Sequence, residues 1–168
     1  ETDSLFMGCV SWSQRFFPEG EVSRQRLDKA VLAARLELEP IERRYRHVGW
    51  SRAIGSSGTI LAAEAILRDA GWSEGGITKQ GLALLRESVA QAGHVTRLSL
   101  PGLTAERASV LPGGLAILLA VFDAFRLDRM TASTGALREG LLHDLVGRIS
   151  HEDAREHGIE AACERWHV

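Results

Sequence analysis

At residues 53–67 an apolar pair, Ala53-Ile54, runs into Gly55-Ser56-Ser57-Gly58-Thr59. It continues without a break into the helix-forming run Ile60-Leu61-Ala62-Ala63-Glu64-Ala65-Ile66-Leu67. No other stretch restricts the chain so tightly, because this order commits it to strand, glycine turn and helix. Such a turn aims backbone N–H groups and a helix N-terminus at one point, a place suited to phosphate. The glycines admit a close approach to the backbone, and Ser56, Ser57 and Thr59 add hydroxyl donors. The same residues also make an ordinary strand-to-helix turn, in which Ser57 or Thr59 caps the helix. The residues of the turn leave both readings open.

A chain of 168 residues that is 45% hydrophobic can bury one good core, or one domain with an appendage. The net charge of −2 demands neither nucleic acid nor an anionic membrane as partner. Cys9 and Cys163 are isolated, which predicts a reducing, cytoplasmic setting and neither a metal site nor a disulfide framework. No apolar stretch approaches a membrane span, and no signal peptide is visible. Glu1-Thr2-Asp3 reads like a cut inside a longer protein.

In chain order, Leu5, Met7, Cys9 and Val10 around Gly8 predict a strand, followed by core aromatics Trp12, Phe16 and Phe17 and a turn at Pro18-Glu19-Gly20. Ser23 is the candidate cap of a long helix. Leu27, Val31, Ala34, Leu38, Ile41, Tyr45 and Val48 recur on one face of it. Pro40 lies off that stripe and should kink or divide the helix. Arg43, Arg44, Arg46 and His47 stand near its end, where cations are favoured by the helix dipole. They could also form a basic wall along a polyanion channel.

The central strand with its glycine turn comes next. After the helix that follows, Thr78 caps an amphipathic helix with Leu82, Leu85 and Val89 inward and Gly93 as its stop. Thr104 is placed to open a long helical segment that Pro112 bends or restarts. Its run Leu115-Ala116-Ile117-Leu118-Leu119-Ala120-Val121-Phe122 is apolar on nearly every side and should lie buried. Gly113 and Gly114 let it approach a neighbour closely. Residues 130–133 form a second short strand, and Thr134-Gly135-Ala136-Leu137-Arg138-Glu139-Gly140 turns again from strand to helix. Ser150 caps a last, polar helix. Its His151, Glu152, Asp153 and His157 have metal-ligand character, but their spacing fits a solvated face better.

Several of these segments together resemble one family. Met7-Gly8-Cys9-Val10-Ser11, Gln14-Arg15-Phe16-Phe17-Pro18, Ala53-Ile54-Gly55-Ser56-Ser57-Gly58-Thr59, Glu106-Arg107-Ala108, Leu111-Pro112-Gly113-Gly114-Leu115-Ala116-Ile117-Leu118 and Gly135-Ala136-Leu137-Arg138-Glu139-Gly140 occur in this order. They are similar to the exopolyphosphatase and guanosine-pentaphosphate phosphohydrolase (Ppx/GppA) family. The resemblance implies an α/β fold of the acetate/sugar kinase, Hsp70 and actin type (ribonuclease H-like), in which two domains enclose a cleft. Residues 1–149 would be the second domain without its first strands. Residues 150–168 would begin a C-terminal helical region.

The implied activity is hydrolysis of a terminal phosphoanhydride of inorganic polyphosphate, or of the 5′-phosphate of guanosine pentaphosphate, with magnesium as cofactor. The family's catalytic glutamate, phosphate loop and magnesium-holding Asp-Ile-Gly-Gly-Gly-Ser-Thr-Glu loop have no counterpart here. No catalytic residue and no metal ligand is therefore expected within the chain, which should be inactive alone and should need a missing N-terminal domain. Gly55, Ser56, Ser57, Gly58 and Thr59 align with a loop facing phosphate or adenosine. Arg107 could grip a phosphate or guanine, or form a salt bridge inside the domain. Arg138 is a third candidate, with a structural role as its alternative. Where some members carry two arginines before Met-Gly, this chain has Leu5-Phe6, which leaves the substrate preference open. Strand edges left open predict a homodimer. The competing readings are the ATP-binding half of a sugar-kinase or actin-like protein and a non-catalytic regulatory module.

Overall fold

The computed structural model describes residues 2–135. Its contacts divide the chain into Glu1–Ala132 and Ser133–Val168, and the helices and strands described belong to the first unit. The boundary expected at 149/150, the polar helix from Ser150 with His151, Glu152, Asp153 and His157, and Arg138 lie outside the described residues.

Helix α1 (Cys9–Phe16) stands where the alternation around Gly8 predicts a strand. Gly8 is extended at its N-cap (φ −146°, ψ 152°), and residues 2–7 join no ladder. The strand expectation fails because Trp12 decides the segment. A helix seats Trp12 in the core at 3% exposure, lets its indole N–H donate to the Ala30 carbonyl at 3.1 Å, and packs it in a tilted contact against Phe16 one turn later.

Helix α2 (Arg24–Val48) starts as expected, with the Ser23 hydroxyl accepting from the Arg26 N–H at 3.2 Å. Leu27, Ala30, Ala34 and Leu38 are buried, whereas Val48, at the end of the predicted stripe, is exposed. Pro40 does not divide the helix. Pro40 and Leu36 both face solvent, so the carbonyl that loses a donor to proline can turn to water.

After β1 (Ile54–Gly55) and α3 (Gly58–Asp69) comes β2 (Ile77–Thr78), a strand that the sequence does not predict, Thr78 being expected only as the cap of the next helix. Helix α4 (Lys79–Ala92) has the anticipated ends: Thr78 accepts from the Gly81 N–H at 3.1 Å, and Gly93 takes the left-handed conformation (φ 72°). Thr104, by contrast, caps no long helix. One turn, α5 (Ala105–Ala108), is followed by a break at Ser109-Val110, and α6 (Leu111–Phe125) starts afresh with Pro112 in its first turn. A proline there needs no N–H of its own, so the restart costs no hydrogen bond.

Helix α6 is buried along most of its length, packed against α1, α2, α3 and α4. Its own Leu115 and Phe122, with Leu27, Leu38, Ile66, Leu67, Ile77, Leu82 and Leu85 of other elements, are fully buried. Each such side chain contributes roughly 1.5–3 kcal/mol.

Strand β3 (Arg129–Ala132) completes a three-stranded sheet of order β1-β3-β2. The expectation that the Ala53-Ile54 strand is central is therefore corrected: among the described strands β3 is central and β1 lies at an edge. Met130 points inward while Arg129 and Thr131 are exposed, and β3 pairs on both sides, parallel with β1 and antiparallel with β2.

Candidate functional site

Strands β1 and β3 run in parallel with Gly55 opposite Ala132, so both end at the same edge of the sheet. Ligands of such sheets bind at carboxyl ends of strands. From that edge the chain turns through Ser56 and Ser57 into α3. Ser57 is extended (φ −177°, ψ 166°) and is the cap: its hydroxyl accepts from the Ile60 N–H at 3.2 Å, and its carbonyl from Leu61 at 3.0 Å. The N–H groups of Gly58 and Thr59, first in the helix, have no acceptor among the described residues. They carry the positive end of the α3 dipole.

Thr59 points toward α6. A Cβ placed on Gly114 would stand 2.5 Å from Thr59 Oγ1 and 2.6 Å from its methyl, so only glycine at 114 lets the two helices meet there. Gly55 is closed in similarly, with Met130 Sδ 2.5 Å and Ile60 Cδ1 3.0 Å from where its Cβ would be. At Gly58 the space is filled by Arg107. Its Cζ, Nη1 and Nη2 lie equally far from the missing Cβ and inside van der Waals contact, so the guanidinium lays its flat face on Gly58. The one-turn α5 and the Ser109-Val110 break deliver it there.

The salt bridge that was the alternative for Arg107 is not found among the described residues, where no carboxylate pairs with it. A cation thus lies at the positive end of a helix, an arrangement disfavoured by itself and relieved by an anion. The basic end of α2 differs. Arg46 and Arg35 both pair with Glu42, at 3.0 and 2.9 Å, and Arg44 pairs with Asp3. The shallow pocket there is lined by Glu39 and Glu42 as well as Arg43 and Arg46, so it presents no unopposed positive wall.

The structure thus brings Gly55, Ser56, Ser57, Gly58, Thr59 and Arg107 to one corner, with Arg138 outside the described residues. The contact of Arg107 with Gly58 has no signature in the sequence, because nothing local pairs two residues so far apart. Gly114 was signalled by the Pro-Gly-Gly start of α6, though not its partner Thr59. Among the described residues no three His, Cys, Asp or Glu side chains lie together as a metal site. The corner itself offers hydroxyls and a cation, a donor set that does not fit magnesium.

The fold is shared with known structures. The Aquifex aeolicus PPX-GPPA enzyme superposes with a TM-score of 0.68 at 20% identity, over 84% of this chain and 48% of that one. A crystal structure of the type II variant of the Aquifex aeolicus Ppx/GppA phosphatase gives 0.62 at 21%, again over 84% and 48%. These likenesses define a mixed α/β domain of actin-like fold. The model of the Ppx/GppA phosphatase family matches residues 1–149, and the chain belongs to that family. Curated relatives include proteins named guanosine-5′-triphosphate,3′-diphosphate pyrophosphatase. That of Vibrio cholerae serotype O1 is 38% identical over 165 residues, covering 98% of this chain and 33% of its own length. That of Aeromonas hydrophila is 40% identical over 169 residues, covering 99% and 33%. The chain therefore spans about a third of the length of these relatives. No described helix is long and apolar enough to cross a membrane.

Proposed function

We propose that this chain is the second-domain part of a phosphoanhydride hydrolase and supplies one wall of its substrate cleft. The observation that carries the reading is the Arg107 guanidinium lying on Gly58 at the open N-terminus of α3, unopposed by any described carboxylate. A phosphate placed there would accept from the Gly58 and Thr59 N–H groups and from the guanidinium edge. The names of the curated relatives favour guanosine pentaphosphate over inorganic polyphosphate as substrate. Water would attack the terminal phosphorus, the bridging P–O bond would break, and orthophosphate would leave. In this reading the base that takes the water's proton, and the residues that hold magnesium, lie outside the chain. The residues here hold and orient the polyanion and route no step through a metal. A cytoplasmic setting, a partner N-terminal domain and a homodimer belong to the same reading.

The test is phosphate release from guanosine pentaphosphate and from long-chain polyphosphate, with magnesium, by the purified 168-residue chain. Binding without turnover is expected. Turnover above a no-protein control, abolished by replacing a carboxylate within residues 1–168, would put the base inside the chain and overturn the assignment.

A further inference from the structure

We infer that Gly58 is a positioning residue for Arg107: the side chain it lacks leaves the flat seat on which the guanidinium lies. The inference rests on the reading of this corner as an anion site. Glycine in a phosphate-directed turn is ordinarily explained by a positive φ or by a ligand touching the backbone. The first reason does not fit Gly58, and a ligand on its N–H would not require the absence of a Cβ. Gly58 is absent from the glycines at positive φ and forms the first residue of α3, in helical conformation. The atoms that occupy the place of its Cβ are Arg107 Cζ, Nη1 and Nη2, all equidistant. With its face laid on Gly58, the guanidinium has its N–H edges left to meet an anion at the same helix end as the N–H groups of Gly58 and Thr59. Backbone and side-chain donors then converge on one anion. Any Cβ at 58 must lift or swing that plane, because a planar fork cannot share the space with a methyl group. Lysine at 107 has no such plane and would not need the seat.

The inference makes an unusual demand of one substitution. Gly58→Ala puts a better helix former at a half-buried first turn where only the mobile end of Arg107 must give way, so its melting temperature should equal or exceed that of the wild type. Its affinity for tripolyphosphate should nevertheless fall about as far as that of Arg107→Ala, roughly ten- to a hundredfold. Titration calorimetry of the 168-residue chain with tripolyphosphate, run on both single variants and the double, reads this as a cycle. The double variant should be no weaker than Arg107→Ala alone. In an Arg107→Lys background, Gly58→Ala should cost little. Wild-type affinity in Gly58→Ala, or additive losses in the double variant, would overturn the seat. So would a crystal structure of Gly58→Ala with the Arg107 guanidinium still lying on residue 58, whatever the binding result. If instead Arg107→Ala binds as the wild type does, the anion site itself falls and the seat with it.

Discussion

Gly113 and Gly58 both stand in the first turn of a helix, and neither has room for a Cβ, but the obstacles differ in kind. At Gly113 the Cβ would stand 2.6 Å from the Cys9 carbonyl oxygen and from the Ser13 nitrogen. These are backbone atoms of α1, and nothing there can move without parting two packed helices. At Gly58 the obstacle is the far end of an exposed arginine, which can swing into solvent. Close approach serves the fold in the α1–α2–α6 interior and the site at the turn before α3. Residue type alone does not separate the two uses, whereas the mobility of the neighbour does. Replacement in the first region should therefore cost stability, and in the second binding.

The largest effect should come from the interior. Phe122 is 2% exposed at the centre of the packing around α6, and Phe122→Ala should destabilise by about 3–5 kcal/mol in urea or thermal unfolding. Tripolyphosphate affinity measured well below the transition should not change. Gly113→Ala comes next, at about 1–3 kcal/mol, because the added methyl meets backbone on two sides. A Gly113→Ala protein as stable as the wild type would show that α1 can yield, and the contrast with Gly58 would then collapse. On the other side of the comparison stands Arg107→Ala. It should leave the melting temperature unchanged while weakening tripolyphosphate binding by about 1.5–3 kcal/mol, the worth of a charge-assisted contact. Lost stability with unaltered binding would move Arg107 into the structural group.

Which parts could be read from the sequence follows the same division between local and distant causes. Ser23, Thr78 and Gly93 act on N–H or C=O groups a few residues away, so the helix ends they set are legible, and at α3 the choice narrows to Ser57 or Thr59, of which Ser57 is the cap. The apolar run of α6 announced its burial for the same reason. Alternation around Gly8 misled because the deciding contact, Trp12 with the Ala30 carbonyl, joins α1 to α2. The two residues of β2 are too few to show a period, and they pair only because β3 arrives beside them. At the site, the turn and Arg107 were each visible, but the stacking of one on the other is a product of the break between α5 and α6. Chain geometry, not residue type, makes that contact.

Ser57 sits on the border between the two regions, since its hydroxyl holds the first turn of α3 on which the anion corner is built. Ser57→Ala should cost about 1 kcal/mol of stability. Tripolyphosphate binding should weaken modestly, because the Gly58 and Thr59 N–H groups remain but their turn frays. Ser57→Asp should restore the cap yet bind the anion worse, since the new carboxylate would compete for the same positive helix end. If the Asp variant binds as well as the wild type, the anion does not reach the α3 terminus.

The smallest effect concerns Asp3, which belongs wholly to the helical region. Its carboxylate is held below the usual range by a hydrogen bond from Arg44 near the end of α2, and secondarily by one from Tyr45. A carboxyl whose pKa is lower in the folded than in the unfolded chain stabilises the fold above its unfolded value, about 3.9 for aspartate. That contribution is lost as pH falls through the depressed folded value. Asp3→Asn should therefore melt slightly below the wild type near neutrality, and the gap should close as the pH drops below about 4. Added salt should narrow it as well, because the pair is exposed. Tripolyphosphate affinity at neutral pH should be the same in both proteins, since the pair ties residues 2–8 to α2 and touches nothing at the turn. A melting difference that persists unchanged into acid would mean that Asp3 acts through something other than its charge. A changed affinity would mean that the helical region and the anion corner are coupled, against the separation that Gly113 and Gly58 define.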